Sequence, residues 1–518
     1  MHNPDLPAPI TLRTWAGFML MCLGMFMAIL DIQIVATSLP TIQQALGIGV
    51  DQMSWVQTAY LTAEIVAIPL TGALTRLMGM RRLFVTAVSI FTLASAGCAA
   101  SNGFTSLIAC RVVQGFAGGT LIPTVFAAVF LLFPHRAQGL ATTIAGVVAV
   151  FAPTIGPIVG GWLTQTYSWH WLFLVNIVPG LIAAGGAAAL LQRRAFDWRE
   201  LRLVDGAALL ALAVSLVALE IGLKDAPDLG WGSGRVLALL ALFALGTVLF
   251  VGKTLRAGKP LVELRAFENR NFTIGCILSF VLGVGLFGST YLMPFFLGLV
   301  RGFGALQIGE IMLVTGIAQL LAAPVAVALE QRVDARLLTL LGFALFATGL
   351  GLSAFQTRDT GFDGMLIPQI LRGSAIMFCL LPPTRMALGH LAPAQVADGS
   401  GLFNLMRNLG GAIGLALIDT VIFSRSAAHA RHIASQLRGG DSDVAVAIGI
   451  PRAAYSALAG HPLDAATQRM VGALIEKAAL VRSINDAWAL IAILTAVPLL
   501  LLPLVRDHAP GARPVAPR

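Results

Sequence analysis

The chain is dominated by apolar runs long enough to cross a bilayer, and no single water-soluble core could hide them all. Runs of roughly 17 to 28 mostly apolar residues lie near 15–39, 52–75, 83–101, 104–132, 139–162, 169–191 and 203–223. More follow near 235–251, 272–299, 309–329, 336–355, 364–384, 399–423 and 487–505. In lipid the backbone must satisfy its own hydrogen bonds, and runs of this length do so as helices. The spacing predicts about fourteen transmembrane helices and an all-α integral membrane protein. Composition agrees: the chain is 57% hydrophobic and 11% charged, against about 25% charged in soluble domains. The run at 15–39 is about 25 residues with no small-residue cleavage site, too long for a signal-peptide core, and is expected to persist as the first span.

A net charge of +9 raises nucleic acid as a partner, but the basic residues form short clusters between apolar runs and no basic face. Membrane orientation accounts for them. With the N-terminus inside, the cytoplasmic segments hold Arg13, Arg76, Arg81, Arg82, Arg136, Arg193, Arg194, Arg199, Arg202, Lys253, Arg256, Lys259, Arg265, Arg270, Arg332, Arg336, Arg385, Arg506, Arg513 and Arg518. Short outer loops hold only Lys224, Arg235, Arg301 and Arg358, so the positive-inside rule places both termini in the cytoplasm. Cys22, Cys98, Cys110, Cys276 and Cys379 all fall inside apolar runs without metal or disulfide spacing and read as small core residues; no metal or cofactor is expected. The outer segment 425–486 is a long loop with helix-compatible stretches such as Ala427 to Leu437, read as a solvated helical hairpin over the outer mouth or as a docking surface for a periplasmic partner.

An ionisable group at the bilayer centre costs roughly 2.5–3.5 kcal/mol on insertion scales, so each needs a partner, a wet cavity or a neutralising proton. The candidates are Asp31, Glu64, Arg111, Arg372, Arg407 and Asp419. At about 1.5 Å per residue, Asp31 and Arg111 lie at similar depths, and they are expected to meet directly or through Gln114, as a proton-coupling pair or as a static lock between helices. Glu64 has no basic neighbour in sequence; burial there favours its neutral form, which makes it a proton carrier or a permanently protonated hydrogen-bonding group. Gln57, Tyr60, Gln114, Gln369, Arg372, Asn404 and Arg407 are the candidate lining of a transport cavity. Asp419 and Glu310 fall near expected helix ends and read as interfacial. A faint internal echo links Arg111-Val112-Val113-Gln114-Gly115 to Gln369-Ile370-Leu371-Arg372-Gly373, as in transporters built from repeated halves.

These motifs resemble the major facilitator superfamily, specifically its fourteen-span drug:proton antiporters of the EmrB and QacA type, over nearly the whole chain. The segment from Leu30-Asp31-Ile32 to Leu39-Pro40 resembles the family's first-span motif, with Gln33 and Ala36 in place of Thr and Asn. Gly72-Ala73-Leu74-Thr75-Arg76-Leu77-Met78-Gly79-Met80-Arg81-Arg82 resembles its cytoplasmic gating loop, with Arg76 where Asp is common. Arg111 to Gly115 matches the fourth-span motif, whose Arg the resemblance ties to proton coupling. Ala152-Pro153-Thr154-Ile155-Gly156-Pro157-Ile158-Val159-Gly160-Gly161 resembles the fifth-span antiporter motif of exporters; its prolines and glycines permit a kink and close packing, as a gate requires. Trp169 to Asn176 resembles the segment that follows.

The resemblance implies a major facilitator fold of two six-helix bundles plus two inserted helices. Residues 1–14 would be a cytoplasmic N-terminus, 15–191 the N-terminal bundle, 203–251 the inserted pair, 272–506 the C-terminal bundle with periplasmic loop 425–486, and 507–518 a cytoplasmic tail. The implied function is proton-coupled export of hydrophobic or amphipathic drugs across a bacterial inner membrane by alternating access, with a specific metabolite exporter (fatty acid, siderophore or amino acid) or a lipid flippase as alternatives. The implied partners are a small-molecule substrate, protons and the bilayer, with a periplasmic adaptor (membrane fusion protein) and an outer-membrane channel completing a tripartite pump. No nucleotide-binding motif and no catalytic or metal-spaced cluster speaks for an enzyme.

Overall fold

The computed structural model describes residues 11–48, 50–192, 205–257, 260, 262–330, 332–389, 391–392, 395–458 and 465–504. Most of the expected N-terminal segment 1–14, the tail 507–518, and Arg193, Arg194, Arg199, Arg202, Lys259, Arg506, Arg513 and Arg518 lie outside the described residues. The described residues form helices and no strand, and 14 of the helices are long and apolar enough to cross a membrane.

The first half contains α1 (Leu12–Leu46), α2 (Val50–Ala67), α3 (Thr71–Met78), α4 (Met80–Ala99), α5 (Phe104–Leu132), α6 (His135–Thr166), α7 (Trp171–Leu174) and α8 (Ile177–Leu190). A helical hairpin follows, α9 (Gly206–Leu229) and α10 (Gly234–Arg256). The second half contains α11 (Arg270–Leu299), α12 (Ala305–Glu330), α13 (Ala335–Leu352), α14 (Phe362–Leu388), α15 (Val396–Arg438), two short helices α16 (Ser442–Ile448) and α17 (Arg452–Leu458), and α18 (Ala465–Ala496). Local chemistry sets the boundaries. Pro69 interrupts the second span with a 3-10 turn before α3. Gly47 and Gly79, at φ 61° and 74°, end helices in conformations a side chain rarely adopts. Asp205 caps α9 by accepting from the Ala207 and Ala208 amides at 2.9 and 3.1 Å, and receives Lys253 from the end of α10 at 2.8 Å. That lysine bond, with the amide bonds, holds the Asp205 carboxyl below its ordinary range.

The two halves repeat one packing scheme. In the first, α1 packs on α6, α5 and α8, α5 packs on α2 and α4, and α4 packs on α8; in the second, α11 takes the place of α1, α12 of α2, α13 of α4, α14 of α5, α15 of α6 and α18 of α8. The halves meet where α6 lies along α12 and α14, and where α3 and α5 meet α15. The hairpin is wedged at this seam, with α9 against both α2 and α15. Lys224 of α9 lies over the Trp55 ring at 4.4 Å, and the Trp231 indole donates to Thr420 Oγ1 at 2.9 Å.

The helical character expected of Ala427 to Leu437 is present, but the ends of the flanking helices and the place of Asp419 differ from expectation. The thirteenth span runs unbroken as α15 for 43 residues and the last begins as α18 at Ala465, so most of the segment expected as loop 425–486 continues the two flanking helices. Buried Ile433 and Ala479 hold these extensions to Ala445, Ile448 and Ile450 in a small apolar core of their own. Asp419 consequently lies inside α15, away from any helix end, and accepts from the Tyr291 hydroxyl at 2.8 Å.

Candidate functional site

Within the first half, four elements converge on one carboxylate. Asp31 on α1 forms an ion pair with Arg111 Nη1 on α5, and its other oxygen accepts from Gln114 Nε2 at 3.0 Å and Asn176 Nδ2 at 2.8 Å. Arg111 Nη1 also donates to Gln114 Oε1 at 2.8 Å, while Nε donates to the Val56 carbonyl at 3.0 Å. Ser95 on α4 closes the network, accepting from both amides at 3.1 Å and donating to the Phe173 carbonyl at 2.9 Å. Asp31, Arg111, Gln114 and Ser95 are all 0% exposed. Charges taken this far from water need such partners, because an unpaired buried ion costs several kcal/mol; of the guanidinium, only Nη2 has no hydrogen bond.

Tyr60 and Gln114, expected to line the cavity, belong to this interior instead. The Tyr60 ring lies under the Arg111 guanidinium at 4.4 Å and its hydroxyl donates to the Ala28 carbonyl at 3.2 Å, leaving it 0% exposed. Close approach of α5 to α2 makes this packing available: a methyl group at Gly115 would overlap the Tyr60 carbonyl, and one at Gly119 the Glu64 carbonyl.

Glu64 faces the seam and is 3% exposed, and its carboxyl has no hydrogen bond or ion pair with any described residue. The charges that reach it come from Glu220 on α9, Arg111, Arg407 on α15, and Asp31. Glu220 was missed in the sequence, although an acidic residue between Leu219 and Ile221 inside an apolar run is a visible signal. Arg407 sits over the Phe126 ring at 5.7 Å, donates to Asn404 Oδ1, and lies among residues of both halves. Asn404 is fully buried and anchored to the Ser400 carbonyl at 2.9 Å, whereas Gln57 is half-buried on α2. On α14, Arg372 borders a cavity between the halves, and the neighbouring Gln369 is fully buried, accepting from Thr315 at 3.0 Å.

Some of the expected gating residues lie near the contact between the halves, and the others lie within the first half. Arg76 forms an ion pair with Asp398 at the start of α15 and donates to the Pro260 carbonyl at 3.3 Å, while Gly72 leaves room for the Asp398 carboxylate. Ser400 donates to the Pro123 carbonyl at 2.9 Å beside them. The Arg that replaces the family's common Asp is therefore met by an acid on the other half, a partner the sequence reading overlooked because it began that span at 399. Arg81 donates to the Ala188 carbonyl, Gly79 makes the turn, and Arg82 is exposed. Pro153 and Pro157 lie inside α6, where Thr154 and Ile158 fill the space left by Gly316 and Gly309 of α12. Gly156 admits Gln33 of α1, and Gly160 and Gly161 are buried, the Gly160 carbonyl accepting from Thr164 at 2.7 Å.

The family model of the Major Facilitator Superfamily matches residues 21–415. The chain is 38% identical over 81% of its length, and 82% of the relative's, to the colistin resistance protein EmrB of Acinetobacter baumannii. It is 30% identical to the multidrug export protein EmrB of Escherichia coli K12 over 79% of this chain and 80% of that one. It is also 30% identical to the fatty acid resistance protein FarB of Neisseria gonorrhoeae over 80% and 82%. The crystal structure of the human organic anion transporter MFSD10 shares the fold, with a TM-score of 0.61 over 96% of this chain and 100% of that one, at 14% identity. Fourteen spans, two halves repeating one packing scheme, and these matches together establish the chain as a multi-pass efflux transporter of the major facilitator superfamily, in its EmrB-type drug antiporter family.

Proposed function

We propose that this chain exports hydrophobic or amphipathic drugs and xenobiotics across a bacterial inner membrane in exchange for protons, by alternating access between its halves. The observation that carries the reading is Glu64: a carboxyl at the seam, almost wholly buried, without a hydrogen-bonding partner, and reached by charges of both signs from both halves. When ionised it attracts Arg407 across the seam and draws α15 toward α2; when protonated that attraction is lost and the halves are free to part. The Asp31–Arg111 network is the second proton-linked element and couples α1, α4 and α5 to the same cycle. One proton entering down ~100 mV yields about 2.3 kcal/mol, sufficient for a roughly fiftyfold substrate gradient at one-to-one coupling.

Relatives named for multidrug export and for colistin and fatty acid resistance support a broad amphipathic substrate range, and the last of these supports a lipid-like carboxylate as an alternative specific cargo. The helical extensions of α15 and α18, with their own small core, support contact with a periplasmic adaptor that leads to an outer-membrane channel. In this reading both termini are cytoplasmic. The test is efflux of a cationic dye from cells expressing wild type or Glu64→Gln at equal protein levels. Loss of dye efflux in the variant is expected, and undiminished gradient-driven efflux rules out Glu64 as the carrier.

A further inference from the structure

The repeated packing places Arg372 where the first half has its charge network, and the difference between the two is informative. Gly373 of α14 packs against the Thr315 carbonyl of α12 as Gly115 of α5 packs against the Tyr60 carbonyl of α2. Arg372 therefore takes the place of Gln114, and Gln369 the place of Arg111. In the first half the guanidinium and amide of these positions share the Asp31 carboxylate, supplied by α1. In the second half, α11 supplies Met293: Arg372 Nη2 donates only to its thioether, at 3.5 Å.

Arg372 is 3% exposed, stacks over the Trp488 ring at 5.0 Å, and has no acidic side chain of the described residues near enough to act on it. Its Nε has no hydrogen-bond partner, nor do Gln369 Nε2 and the Trp488 indole nitrogen. A buried guanidinium with a thioether and an indole face as its neighbours is a cation without its counterion, an arrangement costly enough to call for one. The side chain borders a cavity of about 40 Å³, walled by Ser289, Thr290, Met293 and Thr315 of its own half and by Pro153 and Thr154 of the kinked α6 on the other. A water needs roughly 10–15 Å³ of such space, so the cavity has room for a small polar head group. The rest of a larger molecule enters when the halves part.

We propose that Arg372 is the head-group site for a carboxylate-bearing amphiphile, which supplies the countercharge that Arg372 lacks among the described residues. The planar guanidinium matches a carboxylate in two parallel hydrogen bonds, and the Trp488 face fixes the plane of the fork. The substrate class rests on the export reading above, whereas binding itself is independent of proton coupling.

Equilibrium binding to the purified full-length chain tests it, with radiolabelled laurate and dodecyltrimethylammonium as probes of equal tail length and opposite charge. Two variants are compared with wild type. Arg372→Met removes the charge, and Met293→Glu provides an internal carboxylate that reproduces the Asp31 arrangement and keeps the guanidinium paired and folded. In both, the ratio of laurate to dodecyltrimethylammonium affinity is expected to fall at least tenfold, with Arg372→Lys intermediate. A ratio unchanged in Met293→Glu, absence of saturable laurate binding in wild type, or occupation by phosphatidylglycerol that laurate does not displace overturns the proposal. Saturable, Arg372-dependent laurate binding in a protein that moves no substrate under a pH gradient would leave this site standing and remove the antiport reading alone.

Discussion

Asp31 and Arg111 show what burial demands of a charged pair. Each is fully enclosed; Asp31 accepts from Arg111 and from the Gln114 and Asn176 amides, and Arg111 also reaches Gln114 Oε1 and the Val56 carbonyl. Removing one partner leaves the other charge buried and exposed to the full desolvation cost, about 3–5 kcal/mol, while replacing both with apolar side chains of similar volume is far milder. Arg111→Met is therefore expected to lower the thermal unfolding midpoint markedly, and Asp31→Leu combined with Arg111→Met to recover most of that loss without recovering transport. Equal midpoints in the single and double variants would show that the pair carries no buried-charge penalty. The meeting of these two residues was legible in the sequence because helical rise alone fixes the depth of an ionisable group in an apolar run. Ser95 and Asn176 were not, since neutral polar residues are common in spans and nothing in their sequence neighbourhood points at Asp31. Tyr60 illustrates the same limit: helical periodicity shows a shared face, not which neighbour covers it.

At the scale of the helix, small residues decide how closely spans approach. Gly115 and Gly119 on α5 lie against the Tyr60 and Glu64 carbonyls of α2, so that a side chain at either displaces a helix, while Gly118 makes room for the Tyr60 hydroxyl. Gly115→Val is expected to cost about 1–3 kcal/mol through overpacking and to disturb the Arg111 network next to it. Gly185→Ala on α8, where a methyl group meets nothing within 4 Å, is expected to leave stability and transport intact. Thermal unfolding of the two variants, measured side by side, checks the contrast. The spans themselves were legible from apolar length, but their ends were not. The α15 helix passes through the polar stretch after 423 because no glycine or proline breaks it before Gly439, and tertiary packing at Ile433 stabilises what hydropathy alone excludes from a span.

For the whole molecule, the halves are joined at one end by the Arg76–Asp398 pair and the Ser400–Pro123 hydrogen bond, while α9 bridges the seam between α2 and α15. Asp398→Asn is expected to favour separation at that end; electron-electron distance measurements between spin labels at Arg82→Cys and Arg332→Cys should shift toward longer distances, and an unchanged distribution would deny the pair a latching role. The division into two halves with an inserted hairpin was implied by the family resemblance, with the echo between Arg111–Gly115 and Gln369–Gly373 as its trace in the sequence. The approach of Glu220 to Glu64 was not, because it depends on where the hairpin docks, and nothing in either local sequence records the other. Exchange of substrate for protons through Glu64 ties these scales together. The most direct measurement encloses a pH-sensitive dye in liposomes that contain the purified protein, and follows the internal pH after a transported amphiphile is added to one side with no imposed gradient. Antiport predicts a substrate-dependent proton flux opposite to the movement of the amphiphile, abolished in Glu64→Gln; movement of the amphiphile with no accompanying proton flux would contradict it.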